Sequence, residues 1–274
     1  MKKRIDIFLM GGTGNNLFQL ALGSEFERRG YKVRYNTFLR KQNFATRILG
    51  WSIHEDKLIN YFLESESTVS KLSFSELLKL VYTFIFYRFG LKNLLSIDKS
   101  FFDEQFVRKS IIGYWQEGPH LNFEVYKKLK DKLTQYFIDH EIKIELNFTN
   151  RLVCHYRAGD FPKGKRLSNS YYFSAFSRFP NHKPLIVTND IDELNKAGFE
   201  DLESVNLSLE EDLLILFSAD KLVCSNSTLC YWAAALGKSS KNIIPSHLMF
   251  RNKKEKNTLK FFDKDVVTIP SSYY

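Results

Sequence analysis

Along this chain of 274 residues, apolar runs of strand length end repeatedly in glycine-rich or polar loops. Each loop is followed by a stretch with apolar positions every third or fourth residue. That alternation of strand-length and helical periodicity predicts an α/β fold built on parallel sheets. The first unit is the clearest. Residues 4–10 read as a buried strand, Gly11-Gly12-Thr13-Gly14 as a tight loop, and residues 15–29 as a helix with Phe18, Leu22 and Phe26 on one row. After the turn residue Gly30, residues 31–35 alternate as a second strand.

From 41 to 110 the pattern is less regular. Residues 77–89 are strongly apolar and read as a buried helix, with a helix lying on a membrane surface as the alternative. Residues 111–116, IIGYWQ, read as a strand, and residues 123–137 as a charged amphipathic helix. The polar stretch 139–150 is the expected boundary, which divides the chain into domains 1–145 and 146–274.

Beyond it the alternation is regular. Strands are expected at 152–155, 185–188 and 221–224, and helices at 170–179, 191–197, 208–217 and 229–236. Ser208 and Glu211 have the spacing of a capping box. The three strands end in HYRAGD, TND and SNST. If they are parallel, right-handed crossovers carry all three loops to one sheet edge.

Composition narrows the class. With 44% hydrophobic residues the chain can bury a core, and a net charge of +9 favours an anionic partner. Cys154, Cys224 and Cys230 form no C-x-x-C pair, which argues against a disulfide framework or a zinc site and suits a reducing compartment. The apolar run after MKKR is too short for a signal peptide, and no stretch is long enough to span a membrane.

The densest chemistry lies in residues 151–161, RLVCHYRAGDF. Arg157 offers a planar, permanently charged fork for phosphate oxygens, His155 and Asp160 can orient groups or move protons, and Gly159 permits close backbone approach. A strand-end Arg157–Asp160 ion pair is the purely structural alternative. The Gly11–Gly14 loop before a helix is a second natural anion site, although it lacks both the G-x-G-x-x-G spacing and a Walker lysine.

Taken in order, these motifs resemble those of the bacterial α-1,2-fucosyltransferases. GGTGNNLFQ at 11–19 is similar to the family's GGxGNQxFQ, with Asn16 in place of the usual glutamine. Gly113-Tyr114-Trp115-Gln116 is similar to GY(F/W)Q. His155-Tyr156-Arg157-Ala158-Gly159-Asp160 is similar to HxRRGD, with Ala158 in place of the second arginine. Glu211-Asp212-Leu213 and the run from Ser225 to Thr228, followed by Trp232-Ala233-Ala234, match E-D-L and SNSTFSWWAA.

The resemblance implies a GT-B-like fold, two Rossmann-type domains with a cleft between them, acceptor side first and nucleotide-sugar side second. It implies inverting transfer of L-fucose from GDP-β-L-fucose to a sugar hydroxyl of a bacterial surface glycan, with no cofactor or metal beyond the donor. Carried over by residue, the catalytic candidates are Arg157, His155, Asp160 and Glu117, with His120 a further candidate base. The donor-binding candidates are Gly12, Gly14, Asn15, Arg157, Asn189, Asp190, Asn226, Ser227 and Thr228, with Glu211 considered for the base or ribose. Trp115 and Tyr114 are either an acceptor platform or core. The implied partners are a GDP-sugar and a lipid-linked oligosaccharide acceptor, with no nucleic acid. The implied location is cytoplasmic, with peripheral contact at the inner face of the inner membrane. Two rival readings stay open: a related transferase using another nucleotide sugar, and a non-catalytic nucleic-acid-binding module.

Overall fold

The computed structural model describes residues 4–41, 56–71, 110–111, 113–116, 118, 120–159, 161–250, 253–256 and 259–273. The apolar stretch 77–89, Glu117 and Asp160 lie outside them. The chain forms two compact units, Met1–Tyr126 and Lys127–Tyr274. The division falls within the charged amphipathic helix, whereas the polar stretch after that helix was the expected boundary.

Unit 1 contains β1 (Arg4–Phe8), α1 (Thr13–Arg28), β2 (Lys32–Asn36), α2 (Lys57–Leu63), β3 (Thr68–Val69) and β4 (Ser110–Ile111). Its sheet order is β3-β2-β1-β4, and every pairing is parallel. β1 is buried after its first residue, and α1 is buried at nearly every position from Thr13 to Phe26, so both fold as interior elements. The expected strand at 111–116 stops at Ile111. Gly113 has φ +155° and Trp115 has φ +56°, and a left-handed residue inside the run turns the chain out of the sheet.

The helix at the division, α3 (Phe123–Asp139), buries Leu129, Leu133, Tyr136 and Phe137. Unit 2 continues with β5 (Arg151–Tyr156), α4 (Asn169–Phe176), β6 (Lys183–Thr188), α5 (Ile191–Lys196) and β7 (Glu203–Val205). It then adds α6 (Leu209–Ser218), β8 (Lys221–Val223), α7 (Thr228–Leu236), β9 (Lys241–Pro245), the hairpin β10 (His247–Phe250) and β11 (Lys253–Lys256), and β12 (Asp265–Ile269). The main sheet has six parallel strands in the order β12-β9-β8-β5-β6-β7. α7 is buried along its length from Leu229, as its apolar sequence TLCYWAAAL requires. On one face of β5, Leu152, Cys154 and Tyr156 pack with Tyr171 and Tyr172 of α4, while His155 turns to the other. The capping box at Ser208 and Glu211 forms as expected.

The fold is therefore α/β in both units. Renumbered within its own unit, the six-strand order reads 6-5-4-1-2-3, the doubly wound Rossmann arrangement, and β3-β2-β1-β4 is the corresponding half. Each sheet has a switch point, where chain progression reverses direction: between β1 and β4 in unit 1, and between β5 and β8 in unit 2. Ligands of open α/β sheets bind beyond the carboxyl ends of the strands at such points.

Candidate functional site

In unit 2 the neighbouring strands β8, β5 and β6 deliver SNST, HYRAGD and TND to one edge, as expected. Two side-chain bonds join the three loops. His155 Nδ1 lies 2.7 Å from Ser225 Oγ, bridging the switch point, and Asn189 Oδ1 accepts from the Ala158 N–H at 3.1 Å. Gly159 has φ +52°, and a Cβ there would lie 2.7 Å from Asn189 Nδ2, so the turn requires glycine on both conformational and steric grounds.

Arg166 fastens this turn from beneath. Its guanidinium donates to Phe161 O at 2.9 Å, to Gly159 O at 3.1 Å and to Glu193 Oε2 at 2.8 Å. Glu193 also accepts from Lys196, and the bonds from Arg166 and Lys196 hold its carboxyl down at about 2. Arg157 is half-buried just beyond β5, with Cζ 6.0 Å from the centre of the Phe161 ring. Arg166 and Asn189 anchor the loop through their own hydrogen bonds.

The remaining donor-side candidates occupy the same edge. Asp190 caps α5 by accepting from Glu193 N at 3.0 Å. Asn226 Nδ2 donates to Lys165 O at 3.3 Å. Ser227 and Thr228, half-buried, form the N-cap and first turn of α7, where backbone N–H groups point outward. Glu211 spends its carboxylate on the Ser208 N–H and hydroxyl of the capping box.

Behind His155 lies a titratable group that sequence reasoning passed over. Burial pushes the Asp212 carboxyl up to about 6, against the Leu207 N–H and the nearby His155, which pull it down. Burial also pushes up the Cys230 thiol, but Cys224, His155 and the Ser225 N–H outweigh it and lower the thiol. All three cysteines are reduced and buried.

In unit 1 the glycine loop and the GYWQ segment meet at the other switch point. Gln116 Nε2 donates to Asn15 Oδ1 at 3.0 Å, and Gln19 Nε2 donates to Gly113 O at 2.9 Å. Gln19 Oε1 also accepts from Met10 N at 3.0 Å, and Asn16 Nδ2 donates to Gly11 O and Gly12 O at 2.8 and 2.9 Å. Gly12 is the N-cap of α1, and Gly14 is buried in its first turn. Gly11 has φ +77°, and a Cβ there would lie 2.8 Å from Asn15 Nδ2. Trp115 is 3% exposed and packs as core, whereas Tyr114 is half-buried against Phe8, Met10 and Leu39. His120, fully buried, shares a 2.8 Å hydrogen bond with Trp115 O.

Arg166, Ser225 and Asp212 were thus missed as site residues. Ser225 could have been found from its place at the head of SNST. Asp212 lies in the E-D-L motif but only burial near His155 marks it, and Arg166, bonded within its own loop, gains Glu193 from α5.

No family model matches the sequence, and no curated protein is significantly similar to it. Similar solved structures include the E. coli heptosyltransferase WaaC with ADP, at 12% identity and TM-score 0.44 over 97% of this chain and 93% of that one. Another is a glycosyl transferase family 9 protein from Veillonella parvula, at 12% identity and TM-score 0.45 over 99% and 88%. A third is WaaG, a glycosyltransferase involved in lipopolysaccharide biosynthesis, at 10% identity and TM-score 0.36 over 98% and 87%.

Proposed function

We propose that the chain is a glycosyltransferase that uses a nucleotide sugar, and specifically one that moves L-fucose from GDP-β-L-fucose, with inversion, to a hydroxyl of a bacterial surface glycan in α-1,2 linkage. The observation that carries this reading is the 2.7 Å junction of His155 with Ser225. It joins HYRAGD and SNST, two motifs 70 positions apart that each resemble the same family, at a Rossmann switch point.

The chemistry then follows from the residues. Loss of GDP develops negative charge on the diphosphate. Arg157 is the group that meets it, with directed hydrogen bonds as well as charge, and such stabilisation is a large catalytic term. Ser227 and Thr228 at the start of α7 add hydroxyls and N–H groups. His155 is held in orientation by Ser225, and Asn189 and Arg166 hold the turn that carries Arg157. Glu117, Asp160 and His120 stand as candidate bases for the acceptor hydroxyl. The reaction needs donor and acceptor but no metal or cofactor, so chelation is expected to leave turnover intact.

In this reading the acceptor is a lipid-linked oligosaccharide met at the cytoplasmic face of the inner membrane. No helix among the described residues is long and apolar enough to cross a membrane. The net charge of +9 supports a peripheral, salt-sensitive attachment to an acidic surface. The test is a panel of nucleotide sugars offered to the purified full chain, with nucleotide release as the readout. GDP-fucose should be turned over fastest. Turnover of a different nucleotide sugar would replace the donor and keep the class. No turnover, together with salt-sensitive oligonucleotide binding, would overturn the reading in favour of a nucleic-acid-binding module.

A further inference from the structure

The diphosphate chemistry of unit 2 makes no use of the glycine loop and the GYWQ segment. These meet beyond the carboxyl ends of β1 and β4, at the switch point of unit 1. Gln116 Nε2 donates to Asn15 Oδ1 at 3.0 Å, and that bond uses only one half of each amide. Asn15 Nδ2 and Gln116 Oε1 make no hydrogen bond to any described residue, and both side chains are half-buried rather than sealed in the core. The pair thus offers a free donor on one amide and a free acceptor on the other. Reversing both amides offers the same two functions.

An aromatic ring stands beside them. The point that a Cβ on Gly11 would occupy is 2.8 Å from Asn15 Nδ2 and 3.0 Å from Tyr114 Cε1, so amide and ring flank the same bare backbone. Tyr114 is half-buried against Phe8, Met10 and Leu39. Gln19 fixes Met10 and Gly113, and Asn16 fixes the carbonyls of Gly11 and Gly12, so the setting is built in advance.

The surroundings disfavour an anion. Residues 7–24 and 111–116 contain no ionisable cation or acid. The Asp56 carboxylate accepts from Thr13 Oγ1 at 2.8 Å, which puts an acidic group at the first turn of α1 and offsets the positive end of that helix. A sugar hydroxyl both donates and accepts, and a pyranose adds an apolar C–H face for an aromatic ring. Fixed neutral amides beside a tyrosine match that chemistry.

We propose that Asn15, Gln116 and Tyr114 seat a neutral sugar, with its hydroxyls on the two amides and its C–H face on the tyrosine ring. Its assignment to the acceptor rests on the transferase reading above, in which the nucleotide occupies unit 2. The acceptor sugar is then uncharged where it meets this seat.

The experiment is saturation-transfer NMR of the full chain, titrated with methyl β-galactoside, methyl β-glucoside, methyl N-acetyl-β-glucosaminide and methyl β-glucuronide. At least one neutral glycoside should bind tenfold or more tighter than the glucuronide. Gln116→Leu and Tyr114→Leu, each checked by thermal melting, should weaken that binding tenfold or more, and Tyr114→Phe should keep it. GDP affinity, read by calorimetry, should be the same in Gln116→Leu as in the wild type. No binding of any neutral glycoside would overturn the proposal, as would equal affinity for the glucuronide or full binding by both leucine variants. A tenfold loss of GDP affinity in Gln116→Leu would also overturn it and give the pair to the nucleotide. Glycoside binding is read without turnover, so a failed donor panel and a failed titration are distinguishable results.

Discussion

The two switch points solve one geometric problem with different chemistry. Each sheet edge sets a left-handed glycine against an asparagine amide: Gly11 beside Asn15 in unit 1 and, between the ends of β5 and β6, Gly159 beside Asn189 in unit 2. In unit 1 the surrounding links are amides, Asn15 with Gln116, Asn16 with the loop carbonyls, and Gln19 with Met10 and Gly113. In unit 2 an amide link, Asn189 with the Ala158 N–H, stands beside links through ionisable side chains, Arg166 with Glu193 and His155 with Ser225, with Asp212 close behind. Amide links keep their geometry at any moderate pH.

The largest expected effect separates chemistry from scaffold. Arg157→Ala should lower transfer by a hundredfold or more, about 3 kcal/mol, in protein that still folds. Arg157→Lys should recover little, because lysine lacks the planar fork. Steady-state rates and thermal melts of both variants check this. A near-normal rate in folded Arg157→Ala protein would move the chemistry away from this edge.

Arg166→Ala should behave differently from Arg157→Ala, lowering the melting temperature by several degrees and turnover along with it. The buried guanidinium joins Glu193 to two loop carbonyls, and its removal leaves those acceptors unsatisfied. Thermal melts of the two arginine variants side by side give the contrast.

The paired glycines sharpen the comparison directly. Gly159→Ala and Gly11→Ala should each cost about 1–2 kcal/mol in denaturant unfolding, since both force an L residue into left-handed backbone beside an amide. Gly159→Ala also displaces the Asn189–Ala158 link and should weaken GDP binding, measurable by titration.

The smallest effect is one of pH. The folded pKa of Asp212 is raised from 3.8 to about 6, so its contribution to stability is fully present below the unfolded pKa and is lost as pH rises through about 6. Asp212→Asn should therefore stabilise by about 1 kcal/mol at pH 7.5, after allowance for partial solvent screening, and by nothing at pH 3.5. Chemical denaturation at the two pH values measures it.

What could be read in advance follows the range of the interactions. The first β-glycine-α unit and the Ser208–Glu211 box are local, and both were legible. So was the meeting of three loops on one edge, because it follows from parallel connection alone. The strand expected at 111–116 failed because the backbone of Gly113 and Trp115 overrode an apolar run. β7, β9 and β12 were not recognised, being short and interrupted by polar residues such as Asn242 and Thr268. Glu211 was considered for the nucleotide, although its own capping box consumes it. Arg166 and Asp212 have local partners too, but Glu193 and His155, which complete their settings, are brought near by the fold.

The edge between β5 and β8 is the proposed nucleotide site. A crystal structure of the chain with GDP tests it most directly. The account predicts diphosphate oxygens within hydrogen-bonding distance of the Arg157 guanidinium and the first turn of α7, with the His155–Ser225 bond intact. GDP bound elsewhere, with Arg157 more than a hydrogen bond's reach from any phosphate oxygen, would contradict it.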